Sequence, residues 1–170
     1  MQTPTTDCSP AGGIAAFLEA DHRRLEALLD AAVPPGRAPD LLVYARFREG
    51  LLRHIGLEEK ILLRAARGAL GAPVPRADVL RRDHGDITSL LVPTPTPDII
   101  QLLRRILEGH NAIEEGPGGV YDVCERALAA RSEEIINRMQ RAPTVPTLPF
   151  QDGERALEIV ERIRRSWDVA

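Results

Sequence analysis

The chain has 170 residues, with 22 basic against 25 acidic groups, a formal charge of −3 and 44% hydrophobic residues. That length suffices for one domain with a sizeable core, and the balanced charge argues against a nucleic-acid or anionic-membrane binder, which needs a basic excess on one face. No stretch reaches the apolar length of a membrane span, Met1–Pro10 has neither the basic nor the apolar run of a secretory signal, and Cys8 and Cys124 form no C-x-x-C pair, so a cytoplasmic protein with reduced thiols is expected.

Proline, glycine and short polar clusters punctuate the sequence, and the stretches between them carry helical period. Residues 1–10 read as a tail whose Ser9–Pro10 caps a first helix over about 11–32, ended by Pro34, Pro35 and Gly36. A longer helix follows over about 39–70 and stops at Gly71, Pro73 and Pro75. The third spans about 76–91, before the proline-threonine segment 93–97. Thr96–Pro97 caps a fourth helix from Asp98, which Gly116-Pro117-Gly118-Gly119 interrupts before periodic sequence resumes to about 140. Pro117 removes a backbone donor there and clashes with the carbonyl of Ile113, which predicts either a kink or an opening in the helix. A proline-rich linker over 141–151 leads to a last helix over 152–170, capped by Asp152. No segment alternates like a half-buried strand. The prediction is all-α: an up-down-up-down antiparallel four-helix bundle over 11–140 with an extra C-terminal helix.

Each predicted helix has an inward stripe stepping by three or four residues. Helix one offers Ile14, Leu18, His22, Leu25 and Leu29; helix two Tyr44, Phe47, Leu51, His54, Glu58, Ile61 and Ala65. Helix three offers Leu80, His84, Ile87 and Leu91; helix four Ile99, Leu103, Ile106, His110 and Glu114, then Tyr121, Cys124 and Leu128. All four histidines of the protein and two glutamates therefore fall inside stripes that should be apolar. A lone core histidine is ordinary, but burying unpaired carboxylates costs several kcal/mol. Mid-helix positions of an antiparallel bundle lie at one level, so the four rings should converge. The chain also repeats: Asp21-His22 then His54-x-x-x-Glu58-Glu59, and Asp83-His84 then His110-x-x-x-Glu114-Glu115. Imidazole suits zinc, copper and iron, and a carboxylate can bridge two ions. Six ligands exceed what one tetrahedral zinc takes. They suit two metals with two histidines each and both glutamates between them, leaving room for an oxo or hydroxo bridge and an exogenous ligand.

Asp21-His22, His54-x-x-x-Glu58, Asp83-His84 and His110-x-x-x-Glu114, in that order on four successive helices, resemble the hemerythrin-like (HHE cation-binding) family over about residues 11–130. The resemblance implies a non-haem di-iron centre with His22, His54, His84 and His110 as terminal ligands and Glu58 and Glu114 bridging. It departs from the oxygen-carrying hemerythrins at Thr88, where those carriers have a further histidine, and so implies a more open site. The carriers also place the fourth-helix carboxylate one residue later, at Glu115; Glu114 is preferred because i+4 stays closer to the His110 face.

Glu26, four residues after His22, reads as a solvated or supporting carboxylate rather than a ligand. Tyr121 is in phase with His110 and Glu114 and reads as either a core tyrosine or a group that hydrogen-bonds a bridging ligand or donates an electron. Asp21 and Asp83 point about 100° away from their histidines and read as surface or supporting residues. Cys124 reads as a small buried hydrophobe. The C-terminal stripe Leu157, Val160, Ile163 and Trp167 should fold back onto the bundle or meet a partner, including a second copy. The function expected is binding or sensing of O2 or a related small oxidant such as peroxide at two iron ions. An enzyme reducing peroxide, O2 or nitric oxide and an iron-handling protein are the rivals.

Overall fold

A computed structural model describes residues 12–34 and 36–168. Ser9–Pro10, Cys8 and the tail 1–10 lie outside the described residues. Within them the chain is all-helical: α1 (Ile14–Ala32), α2 (Leu41–Leu57), a π-helical turn (Glu58–Leu62), α3 (Leu63–Leu70), α4 (Ala77–Leu90), α5 (Pro97–Glu115), α6 (Val120–Leu128), a 3-10 turn (Ala129–Arg131), α7 (Ser132–Gln140) and α8 (Glu154–Asp168). No described helix is long and apolar enough to cross a membrane.

The helix ends follow local chemistry. Asp40 accepts from the Leu42 and Val43 amides at the start of α2, and Thr96 accepts from the Ile99 amide ahead of Pro97 at the start of α5. Gly71 closes α3 in the left-handed region at φ 65°. The first amides of α1 have no cap from their own segment. Glu125 of α6 accepts from the Ala15 amide at 2.7 Å instead, and it lies so close that a Cβ on Gly13 would sit 1.8 Å from its Oε1.

Every stripe residue predicted on α1, α4 and α5–α6 is buried. The exception is beyond Glu58. There the inward positions are Leu62, Leu63 and Ala66, while Ile61 and Ala65 are only half-buried. The π-helical turn carries one residue more than an α-turn, so the apolar phase moves on by one. The fourth helix is also broken more than predicted, by the 3-10 turn at Ala129–Arg131 as well as at Gly116–Gly119.

The linker is fastened to the bundle. Arg48 donates to the Leu148 carbonyl at 2.7 Å and stacks on Phe150, and the Gln151 amide donates to the Val92 carbonyl. Asp152 does not cap the last helix; it accepts from the Thr94 amide and hydroxyl at 2.7 and 2.8 Å. Helix α8 folds back onto the same chain. Val160 and Ile163 are buried there, and Trp167 donates to Asp86 at 3.0 Å. Of its stripe only Leu157 stays exposed.

The apolar interior falls into two clusters. Along α1 the chain passes from the cluster around Ile14 and Leu18 to the one around Leu25 and Leu29; along α2–α3 it returns, and α4 and α5–α6 repeat the pattern. Between the clusters every helical segment carries histidine or glutamate.

Candidate metal centre

His22, His54, His84, His110, Glu58 and Glu114 are all buried, with Glu114 at 0% and Glu58 at 1% exposure. The imidazoles form two pairs, His22 with His54 and His84 with His110, at ring-centroid separations of 4.4 and 4.7 Å. Each glutamate spans the two pairs. Glu58 places Oε1 3.4 Å from His54 Nε2 and Oε2 3.1 Å from His84 Nε2. Glu114 places Oε1 3.3 Å from His110 Nε2 and Oε2 3.5 Å from His22 Nε2. Donor atoms of Glu58, His84, His110 and Glu114 all lie within 4.8 Å of one another, as do those of His22, His54 and Glu58. The two groups share Glu58.

The second nitrogen of each ring is held by a carboxylate from another helical segment. Asp21 of α1 faces His54 Nδ1 at 3.0 Å, and Glu59 faces His84 Nδ1 at 2.9 Å. Asp83 of α4 faces His110 Nδ1 at 3.4 Å, and Glu115 of α5 faces His22 Nδ1 at 2.5 Å. With Nδ1 held outward by a carboxylate, every Nε2 is aimed inward, and a ring that is neutral with its proton on Nδ1 offers that Nε2 lone pair to a metal. Asp21 and Asp83 are thus supporting residues. Glu114 is the inward carboxylate and Glu115 the outward one. The roles of Glu59 and Glu115 went unread from sequence, although the Glu-Glu doublet in each half was their signal.

Tyr121 points into the cluster. Its hydroxyl donates to Glu58 Oε1 at 2.5 Å and lies 3.2 Å from Glu114 Oε2, 3.2 Å from His22 Nε2 and 3.4 Å from His54 Nε2. Tyr121 is thus a buried tyrosine whose hydroxyl is satisfied by the two glutamates, beside the His22–His54 pair. Thr88 turns away, its hydroxyl donating to the His84 carbonyl of its own helix at 2.7 Å. Glu26 is exposed and joins neither ligand group. Cys124 is buried, with its thiol pushed up to about 12 by burial and the negative Glu58 and Glu114.

Without an ion the donors regulate one another's protons. Burial opposes charge on His54 and His110, yet Glu58 and Asp21 on the one, Asp83 and Glu114 on the other, raise both to about 10. Burial and the positive His54 lower His22 to about 4 in spite of Glu115. Burial and the negative Glu58 raise Glu114 to about 7, while Glu58, among imidazoles, stays well below the usual carboxylate range despite its burial.

The donor set fits a cation on the evidence of its own loose ends. Glu58 Oε2 and Glu114 Oε1 are buried and lack any hydrogen-bond partner; the 3.1 Å approach of His84 Nε2 to Glu58 lacks hydrogen-bond alignment. Both oxygens face the His84–His110 pair, where the two Nε2 atoms meet at 3.2 Å. Orphaned buried acceptors are costly, and an ion between them would satisfy all four.

A cavity of about 460 Å³ counts His22, His54 and His110 among its lining residues. Apolar side chains of α1, α2 and α4, with Leu107 and the polar Asn111 of α5, make its walls. Residues 116–119 are not part of the lining, so this approach to the cluster does not run through the glycine break.

A helical protein with a buried layer of convergent imidazoles and carboxylates is a metal-binding protein by class. Residues 13–116 match the hemerythrin HHE cation binding domain, and the chain belongs to that family. Neither the curated proteins nor the solved structures yield a significant match.

Proposed function

We propose that this chain is a non-haem di-iron protein that binds O2 or a related small oxidant such as peroxide. One observation carries the reading: Glu58 and Glu114 each span one imidazole of each pair, the arrangement two bridging carboxylates require. In this reading His22 and His54 would hold one iron and His84 and His110 the other, and the pair would supply electron transfer and binding of a small ligand. The chain's own residues orient the ligands through Asp21, Glu59, Asp83 and Glu115, exclude bulk water with two apolar clusters, and keep one side accessible through the cavity. Thr88, turned onto its own helix, supports a site less saturated than that of the oxygen carriers.

The alternating passage of successive segments between the two apolar clusters supports up-down-up-down antiparallel topology. We assign residues 11–140 to the bundle, 141–151 to the linker and 152–170 to the added helix. A second copy would meet α8 mainly through Leu157.

The test is metal analysis with optical spectroscopy after expression with iron. About two irons per chain are expected, with a ferric spectrum that azide perturbs. One tightly held zinc without iron uptake would overturn the di-iron reading. Many turnovers of peroxide or O2 with an electron donor would identify an enzyme, and rapid loss of iron to a chelator an iron-handling role.

A further inference from the structure

The 460 Å³ cavity above the imidazoles is far larger than a diatomic gas or peroxide needs. At about 30 Å³ per water in the liquid it corresponds to roughly fifteen water molecules, and it falls in the range of sites that enclose organic ligands. Its walls come from α1, α2, α4 and α5 and, apart from Asn111, are aliphatic or aromatic between the histidines and the charged residues, so a long apolar body gains by entering.

Its two ends differ. The inner end is lined by the buried His22, His54 and His110, and a metal held by these residues would make that end cationic, able to accept an oxygen lone pair and to repel an ammonium group. At the outer end the charged lining residues are Glu26, Glu108 and Arg104, and Arg104 is already paired with Asp30 at 2.7 Å. The mouth is therefore net acidic and opposes passage of a carboxylate or phosphate head into an apolar channel.

From these three properties we propose that the cavity binds a neutral, mainly apolar organic molecule ending in a hydroxyl-type oxygen, with the oxygen at the imidazole end. An alcohol, a phenol and an organic hydroperoxide share that chemistry. The inference rests on the metal-site reading for the role of the oxygen, but the apolar part of the binding does not require metal.

The experiment is calorimetric titration of the full chain, metal-free and iron-loaded, with 1-octanol, octanoate, octylamine and ethanol. 1-Octanol should bind both forms, and it should shift the optical spectrum of the iron-loaded one. Octanoate, octylamine and ethanol should bind about tenfold more weakly or worse. Leu51→Phe and Leu29→Phe, which fill the cavity from two helices, should each weaken 1-octanol about tenfold, with iron content read separately and circular dichroism confirming the fold. No 1-octanol binding to either form, or binding unchanged in both folded variants, overturns the proposal while leaving the di-iron reading intact. Failure to take up iron removes that reading, yet the metal-free titration still decides the cavity.

Discussion

Each imidazole of the centre takes its orientation from a different helical segment. Asp21 on α1 serves His54, Glu59 beyond α2 serves His84, Asp83 on α4 serves His110, and Glu115 on α5 returns to His22. The four contacts close a ring around the bundle. Glu59→Gln keeps the shape of its side chain but loses the charge that faces His84. We expect iron affinity to fall 10–100-fold in chelator competition, with helix content unchanged. Glu26→Gln is the control and should bind iron as the parent does. Wild-type affinity in Glu59→Gln would show that its contact does not orient His84 for metal. The six inward donors were legible in the sequence because stripes at helical spacing should not hold histidine and glutamate. Their carboxylate partners were only half legible. Whether a residue one position before or five after a ligand reaches a ring depends on where the next helix lies, which a single strand of sequence does not encode.

The π-helical turn after α2 is the element on which the second helix hinges. More residues per turn means a smaller rotation between neighbours than the 100° of an α-helix. Glu58 reaches inward and Glu59 reaches His84 Nδ1 from the start of this turn, the same division that Glu114 and Glu115 make within α5, so what the turn changes is the phase of the residues after it. Deleting Lys60, which is exposed in that turn, should restore a plain α-helix and bring Leu62 and Ala66 into the phase the sequence predicts for 61 and 65. The deletion variant should fold, by circular dichroism, but bind iron more weakly than the parent. Unchanged binding would mean the turn is a packing detail. Nothing in the composition of Glu58–Leu62 marks a wide turn, so an uninterrupted period was the natural reading. The docking of α8 was open for a related reason. An amphipathic stripe states that it will be covered, not by what, and the anchors that decide it (Asp86 for Trp167, Thr94 for Asp152) are far away in sequence.

Taken whole, the molecule is a metal-ready bundle whose polar middle is held together by shared protons when no ion is bound. His54 and His110 sit near 10, above the ordinary imidazole value. In the folded chain they keep protons that the unfolded chain loses near 6.5. Their contribution to stability is complete below that value and is lost as pH rises through about 10. Between pH 7 and 10 the Tm of the metal-free protein should therefore fall. Iron uptake, which displaces those protons, should strengthen over the same window. A Tm that holds level across the window would show that the two rings are not charged in the folded chain.

The division of the interior into two apolar clusters, with the polar layer between them, bears on how the protein opens. Each cluster is a contiguous packed unit, and the helices crossing the layer are joined there by hydrogen bonds rather than by packing. Cooperative units of exchange follow contiguous packing. In the metal-free chain, amide hydrogen exchange should resolve two sets of protected amides. One set lies around Leu29, Phe47 and Leu103, the other around Leu18, Leu62 and Cys124, and each should respond separately to mild denaturant. Ions ligated by all four helical segments would fasten the halves across the layer, and the two sets should then merge into a single, slower class.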